Sequence, residues 1–159
     1  MTAKLAIICS QDKFSARLQA WGEEQIGRKS HPMFPYHCAW LVGDTMFDMS
    51  WKFREIPANK YKKRDVAVFN SPVEITEDYL RMMVGKRSYG VVDVALYPIL
   101  TPLGLNFTGT HCAEAINDDL WFHGYRTPFL PYGAPPSPAD LLYWAFDTLT
   151  LEGIRLARR

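Results

Sequence analysis

"HCAWLVGDTMFDM", residues 37–49, decides the fold. Apolar residues alternate with others on either side of Gly43-Asp44, a two-residue turn of the kind that closes a hairpin. His37 then lies on one antiparallel strand, on the face shared with Ala39 and Leu41, and Asp48 on the next. Outward from the hairpin, "TMFDMSWKFREIP" alternates as one stretch and "RDVAVFNSPV" repeats the strand pattern, with Pro57 between them as a break. Upstream, "KLAIICS" at 4–10 reads as a buried strand.

Four stretches read as helices. "DKFSARLQAWGEE" spaces Phe14, Leu18 and Trp21 at helical intervals. "TEDYLRMMVGKR" opens on Thr76 as N-cap with two acids in its first turn. "THCAEAINDDLWFHG" runs from Thr110 as N-cap to a stop near Gly124. Ser137-Pro138-Ala139-Asp140 supplies a cap, an N1 proline and an acid at N3. Residues 28–35 read as a loop, and 89–109 as a short helix and a wide loop. The chain after Asp147 fits a helix extension and an edge strand equally well. The fold class is therefore α+β, with a mainly antiparallel sheet, and 159 residues suit a single domain over 1–159.

Composition narrows the function. A net charge of +1 creates no global field to draw the chain to nucleic acid, so none is expected as a partner. The basic run "KYKKRD", 60–65, reads as a solvated turn. Three cysteines without regular spacing argue against a disulfide framework and for a reducing compartment. No apolar stretch approaches a membrane span or a signal-peptide core, so a cytoplasmic location is expected unless an assembly carries the chain elsewhere.

The candidate chemistry lies in two His-Cys doublets, His37-Cys38 and His111-Cys112. Neighbours on a strand point to opposite faces, and neighbours on a helix do not face each other, so neither doublet pairs internally. A thiol–imidazole pair needs one member from each: His37 with Cys112, or His111 with Cys38. The first has the better chemistry, because Cys112 falls in the first turn of its helix. Free N–H groups and the positive dipole end there stabilise a thiolate and can receive an oxyanion. Cys38, in mid-strand, reads as a small apolar residue, as does Cys9. His37 is then either a base or a satisfied core residue. Asp48 either accepts the other ring N–H or is an exposed strand-face carboxylate. A metal site built from both doublets fails on geometry, since each doublet aims one side chain inward and zinc needs three or four ligands. No metal or cofactor is expected.

The order His37, Asp48, Cys112 resembles that of the circularly permuted papain-like hydrolases, the YiiX/YebB-like branch of the NlpC superfamily related to the lecithin:retinol acyltransferase group. The likeness runs from about Lys4 to Trp144. It is carried by "HCAWLVGDTMFDM", "RDVAVFNSPVEITEDYLRMMVGK", "SYGVVDVAL", "GTHCAEAI" and "SPADLLYWA" in the permuted order. Ala113 stands where the family often has Ser, and Asp48 where Glu is frequent. The resemblance implies a permuted papain-like fold with the nucleophile helix packed on the sheet. It also implies a cysteine peptidase, amidase or acyltransferase in which Cys112 attacks, His37 is the base and Asp48 orients it. Amides or esters, including cell-wall peptides and lipid acyl groups, are the implied substrates. Trp40, Trp51, Tyr89 and Tyr97 are candidates for an apolar groove or for the core. Bacteriophages also encode this branch, so a non-catalytic interaction module, such as a component of a virus particle, is the alternative reading.

Overall fold

The computed structural model describes residues 2–11, 13, 17, 21, 24, 32–88, 111–129 and 136–157. Its strands are β1 (Lys4–Cys9), β2 (Pro35–Val42), β3 (Thr45–Met49), β4 (Phe53–Pro57), β5 (Asp65–Asn70) and β6 (Leu151–Arg155). A 3-10 turn, Ala58–Tyr61, precedes β5. The helices are α1 (Glu77–Met83), α2 (Cys112–Phe122) and α3 (Pro138–Thr148). The six strands form one antiparallel sheet in the order β4-β3-β2-β1-β5-β6. Mixed α+β architecture with an antiparallel sheet is thus what the chain adopts. The expected helix from Asp12 falls mostly outside the described residues, as do 89–110, which include "SYGVVDVAL" from Tyr89 onward.

Gly43 makes the hairpin possible. Its φ is 55° and Asp44 has no positive φ, the pattern of a II′ turn, and Val42 pairs with Thr45 directly across it. Strands β1, β2, β3 and β5 carry apolar residues on both faces. On one, Leu5, Ile7, Trp40, Phe47 and Phe69 pack with Ile116, Leu120, Leu141 and Leu142 of α2 and α3. On the other, Ala6, Ile8, Ala39, Met46 and Val66 are covered in part by Ala58 and Tyr61 of the 3-10 turn. With cover on both sides, β1 reads as a continuous apolar run rather than an alternation.

Local capping chemistry sets the helix starts. Thr76 accepts from the Tyr79 N–H, and Ser137 and Asp140 cap each other's backbone. α2 starts one residue later than Thr110 would place it. His111 is its N-cap, and the Glu114 carboxylate accepts from the His111 N–H at 3.2 Å. α3 stops when Leu149 turns extended, and the chain crosses to pair with β5 as an exposed edge strand. That resolves the open reading after Asp147.

One buried carboxylate ties the layers together. Asp119 on α2 is fully buried and accepts from Trp40 Nε1 on β2 (2.8 Å), the Tyr79 hydroxyl on α1 (2.7 Å) and Arg87 Nη2 (2.6 Å). With three donors, its charge is compensated where water is excluded. This anchor fixes α2, and so Cys112 at its start, against β2.

Candidate active site

Strands β1, β2, β3 and β5 share one end of the sheet. Cys9 pairs there with Pro35 and Asp65, and Asp48 with Ala39. The ladder between β2 and β3 stops at Ala39–Asp48, so His37 and Cys38 extend past it. α2 packs on β2 and β3 and brings Cys112 to this place. The Cys112 sulfur meets both strand neighbours there. The Cys38 thiol and backbone and the His37 ring are its polar neighbours. On the β3 side neither residue has a ladder partner, while both pair with β1.

Asp48 lies on the diagonal from His37, and its Oδ2 is 3.3 Å from His37 Nε2. Asp48 is fully buried, not the exposed carboxylate of the alternative reading. Arg54, its cross-strand partner on β4, donates Nε to Oδ1 at 2.6 Å and Nη2 to Oδ2 at 3.2 Å. The Tyr61 hydroxyl donates to Oδ2 at 2.6 Å. A carboxylate clamped on both oxygens has one orientation available and can pass it to the imidazole.

The electrostatics follow from these contacts. Burial alone would favour neutral Asp48, but hydrogen bonds from His37, Arg54 and Tyr61 hold it well below the usual carboxylate range. Burial also works against a charged His37. The negative Cys112 beside it, with hydrogen bonds to Asp48 and Cys112, raises it to about 9. Cys112 is held well below an ordinary thiol, by the Cys38 hydrogen bond first and then, against burial, by the His37 charge and the Cys38 backbone. Both shifts run toward a thiolate beside an imidazolium. Burial, with the hydrogen bond to Cys112, pushes the Cys38 thiol well up, and Cys9 goes to about 12 through burial and Asp65.

His37, Asp48 and Cys112 therefore come together, while His111 caps α2 and Cys38 is more than an apolar filler. Arg54 and Tyr61 are partners of Asp48 beyond the expected residues. Arg54 could have been found from the register across the 50–52 turn, and Tyr61 from being the one aromatic in a basic run. The run otherwise behaves as read, with Lys60, Lys62 and Lys63 exposed. Of the aromatic candidates, Trp40 is core, Trp51 is exposed, and Tyr89 and Tyr97 lie outside the described residues. Among the described residues no group of three His, Cys, Asp or Glu side chains is placed to hold a metal, and no helix is long and apolar enough to cross a membrane. Comparison with protein-family models, curated proteins and solved structures gave no match.

Proposed function

We propose that the chain is a cysteine hydrolase or acyltransferase of the permuted papain-like kind, acting on an amide or ester. The observation that carries this reading is the junction of Cys112, at the first turn of α2, with an imidazole that faces a clamped carboxylate through Nε2. The order His37, Asp48, Cys112 along the chain supports it. The Cys112 thiolate attacks the carbonyl carbon, and the carbonyl electron pair moves onto oxygen. First-turn N–H groups of α2, which have no intrahelical acceptor, face the developing charge. As the C–N or C–O bond breaks, the His37 imidazolium gives its proton to the leaving group. An acyl-enzyme remains. His37, now neutral, takes a proton from water or another acceptor as it attacks the thioester, and the thiolate leaves. Peptides, cell-wall peptides and lipid acyl groups are the substrate classes the family resemblance brings.

A pre-steady-state burst with p-nitrophenyl acetate tests this. One p-nitrophenolate per chain should appear in the burst, with an acetyl group on the Cys112 peptide. With an amide substrate, whose leaving group needs a proton, acylation should hold across neutral pH and fall as pH rises through about 9, where His37 loses the proton it must donate. No burst, and no acetyl on Cys112, would favour the second reading, a non-catalytic module such as a virion component. The low exposure of the pair, 4% for Cys112 and 9% for His37, is the observation that favours that alternative.

A further inference from the structure

Three segments reach the sheet end beside His37 carrying cations, and no carboxylate among the described residues pairs with them. Lys13 follows β1, Lys60 sits on the 3-10 turn, and Arg64 lies immediately before β5. Salt bridges elsewhere use Lys4, Arg54, Arg81 and Arg87, but not these three. Lys13 Nζ lies 4.4 Å from the Tyr36 ring centroid, Lys60 Nζ 5.9 Å from that of Tyr61, and Arg64 Nη1 donates to Ser10 Oγ at 3.0 Å. Both rings border the imidazole: the Tyr36 and Tyr61 centroids are 6.4 Å and 6.0 Å from that of His37.

Two further observations point to a missing anion. The Tyr36 hydroxyl lies by Arg64, yet it is shut off from solvent without a well-formed hydrogen bond, which is costly for a buried polar atom. Partial burial, then Arg64 and Lys60, lower the Lys13 pKa, so these cations repel one another as they stand. An anion between them would relieve the repulsion and give Tyr36 an acceptor.

Resting on the hydrolase reading, we propose that Lys13, Lys60, Arg64 and the Tyr36 hydroxyl form an anion subsite beside His37, and that the substrate is an amide or ester bearing a carboxylate or phosphate close to its scissile carbonyl. Neither group takes part in bond breaking. The cations hold the charged end of the substrate while the carbonyl meets Cys112.

The test uses three iodoacetamides with equal tails ending in a carboxylate, a phosphate monoester or an uncharged methyl ester. Cys112 of the wild-type chain should react with one or both anionic probes roughly five- to tenfold faster than with the neutral one, the effect of one or two partly screened charge pairs. Whichever anionic probe gains more identifies the group. In Lys13→Gln/Arg64→Gln the anionic-to-neutral ratio should fall to about one. Because Arg64 also holds Ser10, Lys13→Gln/Lys60→Gln is measured beside it, and its ratio should fall in the same direction. A wild-type ratio of one, or a ratio that survives in both variants, overturns the subsite. Inorganic phosphate supplies a reading independent of Cys112: it should raise the Tm of the wild type and not of either double variant. That shift with an unreactive Cys112 would keep the subsite and remove the hydrolase. Absence of both effects overturns the subsite.

Discussion

His37→Ala is expected to slow alkylation of Cys112 by an order of magnitude or more at about pH 6.5. The imidazolium beside the sulfur carries a full positive charge, whereas the Cys38 thiol and backbone are neutral. Without it, the thiol moves back toward its unperturbed ~8.5, and at pH 6.5 the thiolate fraction collapses. The sign also fixes the window. His37 keeps its proton up to about 9, so wild-type reactivity should stay flat from mildly acidic pH to that point. The variant should instead climb with pH and approach the wild type only in alkali. Asp48→Asn should give a smaller drop, since the ring stays but loses its carboxylate. Cys38→Ala removes the Cys38 thiol that acts first on Cys112, so it should slow alkylation as well. Stopped-flow alkylation with iodoacetamide across pH orders the three. If His37 merely filled the core, its removal would lower stability and leave the alkylation rate unchanged.

Asp119→Ala is expected to cost about 3–5 kcal/mol of stability, the scale of breaking a buried ion pair from one side. Arg87, with 15% of its side chain exposed, would keep its charge without its carboxylate, and Trp40 Nε1 and the Tyr79 hydroxyl would lose their acceptor. Urea denaturation should show a large fall in midpoint with little change in m. Glu77→Gln, which opens the exposed pair with Arg81, is the contrast and should hardly move it. Equal shifts in the two variants would mean that Asp119 does not anchor α2.

These two results depend on features of different legibility. Gly43-Asp44, Thr76 and Ser137 were readable because turn and cap chemistry is settled within four residues. His37 and Asp48 followed from the hairpin register, and Cys112 from the start of its helix. The helix boundary slipped by one residue because His111, a weak capping type, takes the N-cap position with Glu114 closing over its backbone. Asp119 left a signal that was not used: it stands three residues after Ile116 and seven after Cys112, an acid on the buried stripe of α2. β6 was undecidable locally, since the exposed Leu151–Arg155 segment becomes a strand only by docking on β5. The Cys38–Cys112 contact was hidden for another reason. Strand parity sends Cys38 away from His37, and the meeting of all three depends on where the β2–β3 ladder ends.

Site-resolved alkylation of the folded chain tests the thiolate–imidazolium pair most directly. The chain is treated with limiting iodoacetamide near neutral pH, and the three cysteine peptides are quantified by mass spectrometry. Cys112 should be labelled first and to near one equivalent, while Cys9 and Cys38, both buried thiols with raised pKa values, should stay unmodified until the chain is unfolded. Labelling of Cys38 ahead of Cys112, or no labelling of any cysteine before unfolding, would contradict the account.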